Sequence, residues 1–119
     1  MKKQILICDD QSNIRESYKL ILENEYDLVF AMNGQDVLLY LKENVPDLVI
    51  MDIKMPKMDG LTTLKELKKT HPDLPVLIVT GYESVEMATT ATQSGAADYI
   101  VKPFEPEQIS RSVKKVLSA

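Results

Sequence analysis

The sequence predicts one α/β domain in which five β-strands alternate with five helices. Three observations predict it: five short apolar runs rich in β-branched residues, helical periodicity between them, and prolines and glycines falling at the joints. No internal repeat or low-complexity segment breaks the alternation.

Gln4 to Cys8 reads as the first strand. Asn13 to Asn24 follows as a helix, with Ile14, Ser17, Tyr18, Ile21 and Leu22 at helical spacing and Ser12 as its cap. Asp27 to Ala31 is the second strand. Gly34 to Asn44 is the second helix, with Val37, Leu38 and Leu41 inward, stopped by the restriction that Pro46 places on the residue before it. Leu48 to Met51 and Val76 to Val79 are continuous apolar runs, the pattern of central parallel strands covered on both faces. Leu61 to Thr70 and Ser84 to Ser94 are the helices that follow them, the latter closed by Gly95. Tyr99 to Val101 is the fifth strand, and Glu105 to Leu117 the last helix.

Five βα units joined by right-handed crossovers make a doubly wound parallel sheet with helices on both faces and strand order 2-1-3-4-5. At 119 residues and 45% hydrophobic content the chain suits one domain over 1–119. A net charge of -4 without a basic block gives no footprint for nucleic acid or an anionic membrane. The apolar stretch after Met1-Lys2-Lys3 is too short for a signal core or a membrane span, so a cytoplasmic location is expected. Cys8 reads as a buried structural thiol in a reducing compartment.

In such sheets ligands bind beyond the carboxyl ends of the strands, where the strand order reverses between strands 1 and 3. Strand 1 ends at Asp9-Asp10 and strand 3 at Asp52. Three clustered carboxylates must take up protons or bind a cation, and an all-oxygen site without His or Cys ligands suits Mg²⁺, with Mn²⁺ a substitute. Lys102 ends strand 5 and Thr80 ends strand 4, adding a cation and a hydroxyl. A nucleophilic carboxylate, a metal, a lysine and a hydroxyl are the parts that phosphoryl transfer needs, and Asp52 is the acceptor this arrangement nominates. Helix capping by Asp9 and Asp10, and a turn role for Asp52, are the structural alternatives.

These motifs resemble a known family. Cys8-Asp9-Asp10, the run from Met51-Asp52 to Asp59-Gly60, Val79-Thr80-Gly81 and Val101-Lys102-Pro103-Phe104 are similar, in order and spacing, to the signatures of bacterial response-regulator receiver domains, whose fold is flavodoxin-like. The resemblance spans the whole chain. It implies that Asp52 is phosphorylated from a phosphohistidine in a two-component or phosphorelay system, and that Asp9, Asp10 and Asp52 hold Mg²⁺ together with the backbone carbonyl of Lys54. It also implies that Lys102 contacts the phosphoryl group, that Thr80 is the switch hydroxyl with Tyr99 its aromatic partner, and that Lys102-Pro103 is a cis peptide. An ordinary half-buried strand tyrosine is the alternative for Tyr99. A sensor histidine kinase or histidine phosphotransferase would dock on helix 1 through Gln11, Arg15 and, unless it belongs to the core, Ile14. The signal would leave through helix 4, strand 5 and helix 5, toward a downstream protein or an output domain.

Lys54 and Tyr82 each stand two residues past a site residue, where a large side chain could shield an acyl phosphate from water. Gly81 leaves room for a phosphoryl group beside Thr80, or else simply serves the turn. Asp59 is assigned to a turn and His71 to a solvated loop, neither with a chemical role. Helix 4, rich in Thr and Ala, is expected to be mobile, or else shallowly packed through Val85, Ala88 and Ala91.

Other functions fit less well. A haloacid-dehalogenase-type phosphatase needs a second aspartate where Lys54 stands, so a turnover enzyme is not expected. A flavodoxin-type electron carrier would place a flavin phosphate against Asp9 and Asp10, which repel it. A partner-binding pseudo-receiver is disfavoured by the intact acidic site. With no output domain after helix 5, the sequence is similar to single-domain chemotaxis-type and sporulation phosphorelay-type regulators. It is similar too to receivers fused to enhancer-dependent transcription activators, so a part of a longer regulator stays open.

Overall fold

The computed structural model describes residues 2–55 and 58–118; Met1, Ala119 and the Pro56-Lys57 pair of the strand 3 motif lie outside them. The elements alternate in the expected order: β1 (Lys3–Cys8), α1 (Ser12–Leu22), β2 (Tyr26–Ala31), α2 (Gly34–Leu41), β3 (Leu48–Met51), α3 (Gly60–Thr70), β4 (Val76–Thr80), α4 (Val85–Gln93), β5 (Asp98–Val101) and α5 (Pro106–Ser118). All strand pairs are parallel, and the sheet runs β2-β1-β3-β4-β5. The predicted fold class and strand order are therefore observed.

Side chains along each strand alternate between two apolar layers. Leu6, Val49, Met51, Val76 and Ile78 pack with Val37, Leu41, Leu64, Leu67 and Ala91, from α2, α3 and α4. Ile5, Ile7, Ile50, Leu77 and Val79 pack on the opposite face with Tyr18, Leu22, Ile109 and Val113, from α1 and α5. The central strands β3 and β4 are buried at every position, as their unbroken apolar runs require. Among the described residues no helix is long and apolar enough to cross a membrane.

Several helix ends depart from expectation for local reasons. Ser12 does not cap α1; it is the first helical residue, after Gln11, whose side chain makes no capping bond. Asp9 takes over that end of the loop, its Oδ1 accepting from the Gln11 N–H at 2.9 Å. The second helix stops at Leu41 rather than Asn44. Asn33, Asp59 and Ser84 cap α2, α3 and α4, each accepting from the N–H three residues on. Gly95 ends α4 as predicted, with φ 109°, and the N–H groups of Gly95 and Ala96 close back onto Thr92 and Ala91, both at 3.0 Å.

Gly60 and Gly34 are required by close approach. A Cβ on Gly60 would overlap the Asp52 carbonyl oxygen and meet the Ile53 Cα at 2.7 Å. This lets α3 begin directly against the end of β3, where the Gly60 N–H donates to the Ile53 carbonyl at 2.8 Å. A Cβ on Gly34 would overlap the Thr63 hydroxyl, so α2 and α3 touch through that glycine.

Candidate phosphoryl-acceptor site

The parallel pairing of β1 with β3 and of β4 with β5 brings the ends of these strands to one edge of the sheet. The Asp52 N–H donates to the Cys8 carbonyl at 3.2 Å, and the Lys102 N–H to the Thr80 carbonyl at 2.8 Å, which carries the ladder one step beyond the strands. Asp9, Asp52 and Thr80 are 1%, 5% and 0% exposed.

Lys102 organises the centre. Its ammonium donates to Asp9 Oδ2 at 2.8 Å, to Asp52 Oδ2 at 2.7 Å and to Gln11 Oε1 at 3.1 Å. The other oxygen of Asp52, Oδ1, accepts from the Lys54 N–H at 3.1 Å, so each carboxylate oxygen has a donor and the plane of the group is fixed. Arg15, from the first turn of α1, donates through Nη1 to the Asp9 carbonyl at 2.9 Å. The Lys102-Pro103 peptide is cis.

The electrostatics follow from this burial. Desolvation pushes the Asp9 carboxyl above its ordinary value and outweighs the bonds from Lys102 and the Gln11 N–H. Burial works to lower Lys102, but hydrogen bonds and charge from Asp52 and Asp9 prevail and raise it, so the lysine stays charged. The Cys8 thiol is pushed up to about 12 by burial and by the surrounding aspartates, and it donates to the Met55 thioether at 3.0 Å. It is the inert structural thiol that the sequence suggests.

The three carboxylates are not equivalent. Asp9 and Asp52 converge on Lys102, whereas Asp10 is exposed on the β1–α1 loop. Among the described residues no three acidic, His or Cys side chains stand as a ready metal cluster. The lysine occupies the position between the two buried anions, and sequence spacing does not predict that. Two observations nevertheless fit a metal and a phosphoryl group. Two buried carboxylates face one ammonium, leaving an anionic excess that a hard divalent cation offsets. Among the described residues Thr80 Oγ1 is buried without a hydrogen-bond partner, and apart from its chain neighbours none of them lies within 4 Å of where a Gly81 Cβ would stand. A buried hydroxyl without a partner costs about 1–3 kcal/mol, which an incoming oxyanion would recover.

Around this centre, the Lys54 ammonium lies over the Tyr82 ring at 5.5 Å from its centroid, so the two proposed shielding residues touch each other. Tyr99 donates its hydroxyl to the Tyr82 carbonyl at 3.0 Å. In α4, Ala91 is buried and Ala88 half-buried, but Val85 is 82% exposed. In the alternative of shallow packing, the place given to Val85 is therefore taken by Met87, which lies against the core. Ile14 is half-buried and packs against the α1–α5 layer, while Gln11 is exposed. His71 ends α3 at the opposite edge of the sheet, its Nδ1 sharing a 2.8 Å hydrogen bond with the Thr70 hydroxyl. A hollow of about 500 Å³, lined by Lys3, Asp47 and Lys115 among others, is also at that far edge and lacks a comparable constellation.

Comparison with known proteins agrees with this geometry. The family model described as the response regulator receiver domain matches residues 5–114. The transcriptional regulatory protein ZraR of Salmonella typhimurium is 37% identical over 118 residues, covering 98% of this chain but 27% of its own length. This chain thus spans about a quarter of that relative. The receiver domain of NtrX from Brucella abortus superposes with a TM-score of 0.90 at 34% identity, covering 97% of this chain and 98% of that one. A CheY-like receiver domain protein from Methanospirillum hungatei superposes with a TM-score of 0.93 at 34% identity, over 99% and 95% of the two chains. This chain belongs to the response regulator receiver domain family.

Proposed function

We propose that this receiver accepts a phosphoryl group on Asp52 and signals through the displacement of Thr80 and Tyr99 that follows. The observation that carries the reading is the buried Thr80 hydroxyl, without a partner among the described residues, at the strand end next to a carboxylate already held by Lys102 and the Lys54 N–H. A carboxylate oxygen of Asp52 attacks phosphorus, the bond from phosphorus to the donor imidazole breaks, and its electron pair stays on the imidazole. Lys102 offers its charge to the non-bridging oxygens, and Thr80 supplies a hydroxyl donor. Receiver domains generally bind Mg²⁺; here Asp9, Asp10 and Asp52 with the Lys54 carbonyl would hold it, or Mn²⁺ in its place, and it would offset phosphoryl charge.

The phosphodonor is a sensor histidine kinase or a histidine phosphotransferase, docked on the start of α1 through Gln11 and Arg15. The output face is α4, β5 and α5. The partial coverage of ZraR favours a second reading, in which the chain is the receiver portion of a longer transcription regulator. Both readings share the same chemistry, and as a receiver the chain is a switch rather than a turnover enzyme.

Incubation with Mg²⁺ and acetyl phosphate, followed by intact mass measurement, tests the acceptor. Wild type should gain one phosphoryl group that base removes, and Asp52→Ala or metal-free samples should gain none. Equal labelling of Asp52→Ala would reassign the site.

A further inference from the structure

The Lys102 ammonium has three N–H donors, and all three are engaged: by Asp9 Oδ2, by Asp52 Oδ2 and by Gln11 Oε1. No donor is left for an incoming phosphoryl oxygen unless one bond is given up. The two carboxylate bonds are charge-assisted, short and buried, whereas the Gln11 bond is the longest, is made to a neutral amide and lies in the exposed rim. Gln11 therefore holds the one bond that Lys102 can surrender cheaply.

The geometry points to Gln11 as a positioning residue that keeps Lys102 saturated at rest and gives its place to a phosphoryl oxygen during transfer. This inference rests on the phosphoryl-acceptor reading and adds to it the side chain that sets the cost of freeing the lysine. Gln11 touches Lys102 and not the reacting atoms, so its effect passes through the lysine's third N–H. The side chain sits at the N-cap of α1, so its reach follows from the short β1–α1 loop that Asp9 braces through the Gln11 N–H.

Substituting Gln11 changes what the third N–H must leave. In Gln11→Ala it leaves water, and Asp52 should be labelled by acetyl phosphate about threefold faster, the scale of one net neutral hydrogen bond. In Gln11→Glu the carboxylate holds the ammonium by a charge-assisted bond, and labelling should slow by about tenfold. Asn13→Glu adds the same charge two residues on and separates general repulsion of the donor from the specific bond. A second readout is the ¹⁵N resonance of the Lys102 ammonium, which should shift in Gln11→Ala and stay in place in Asn13→Ala.

If wild type is labelled on Asp52 and both Gln11 variants match their Asn13 controls in rate and resonance, Gln11 has no hold on Lys102 and the inference is overturned. A slower Gln11→Ala would likewise overturn it, since the amide would then assist transfer rather than restrain it. If wild type itself takes no phosphoryl group while the Lys102 resonance still responds to Gln11, the acceptor reading fails and the positioning bond stands.

Discussion

The Tyr99 hydroxyl donates to the Tyr82 backbone carbonyl at 3.0 Å, tying the side chain of β5 to the loop that follows Thr80. Lys54 covers the ring of the same Tyr82 from the β3–α3 loop. Tyr82 is thus held at its backbone from one side and at its ring from the other, which links the proposed switch aromatic to the rim of the acceptor site.

Removing the first tie tests whether it holds the loop. Tyr99→Phe keeps the ring and deletes the donor, and at this partly exposed position it should cost about 0.5–1 kcal/mol of stability. Hydrogen exchange should accelerate at the amides of residues 81–84 and stay unchanged in β1 and β3. Unaltered exchange in that loop would mean that the bond does not restrain it.

The contact between Lys54 and Tyr82 predicts coupled effects on phosphoryl lifetime. Lys54→Ala and Tyr82→Ala should each hasten dephosphorylation of Asp52 by a few-fold, and the double variant should fall short of the product of the two. The shortfall should correspond to roughly 0.5–1 kcal/mol, the scale of an exposed cation–π pair. Unchanged rates in the single variants would remove any shielding role.

Asp9 yields a prediction whose sign depends on metal. Burial raises its carboxyl, so the group contributes stability below its unfolded value and loses it as pH rises through the folded one. At neutral pH without metal, Asp9→Asn should therefore melt above wild type, and the advantage should vanish in acid. With Mg²⁺ at about 100 times its Kd, wild type gains about 2.7 kcal/mol that the variant cannot match, and the order should reverse. Identical thermal melts under both conditions would contradict the assignment of Asp9 as a desolvated metal ligand.

Lys68 supplies a pH test away from the site. It donates to the carbonyls of Leu74 at 2.6 Å and Pro72 at 3.3 Å, with no carboxylate bonded to it among the described residues, and burial lowers it despite the charge of Asp73. The unfolded chain then binds more protons than the folded one between the lowered value and the ordinary lysine value, so this group's contribution to stability rises with pH across that window. Urea unfolding of wild type and Lys68→Met from pH 8 to 11 should show the difference moving in favour of wild type. A pH-independent difference would refute it.

What the sequence made legible was set by periodicity and by strand ends. The continuous apolar runs at Leu48 to Met51 and Val76 to Val79 could only be covered strands, and their positions placed Asp52 and Thr80 at one edge of the sheet. Side-chain reach was not legible. Nothing in the spacing of Asp9, Asp10 and Asp52 reveals that Lys102 bridges two of them while the third stays in water. The Lys102 bond to Gln11 and the Arg15 bond to the Asp9 carbonyl depend on the path of a short loop. Val85 was misplaced because six helical residues turn through about 600°, which sets it about 120° from the buried Ala91, whereas Met87 lies only about 40° from Ala91 and takes the packing position.

Gly60 offers the sharpest test of how the fold positions the acceptor. Its Cα lies against the backbone of Asp52 and Ile53, where neither neighbour is the free end of a flexible side chain. Gly60→Ala must push the start of α3 away from the end of β3, and overpacking of this kind should cost up to about 3 kcal/mol. The strain falls on the peptide that carries the acceptor, so phosphorylation by acetyl phosphate should slow even where the variant stays folded. Gly81→Ala is the internal control, because apart from its chain neighbours its Cβ meets no described residue within 4 Å, and it should change stability by no more than about 0.5 kcal/mol. Its added methyl borders the space left beside Thr80, so it too should slow labelling, by obstruction rather than by strain. Urea unfolding separates the two mechanisms: a Gly60→Ala chain as stable as wild type would show that the β3–α3 junction can relax, and that the tight fit there does not fix Asp52.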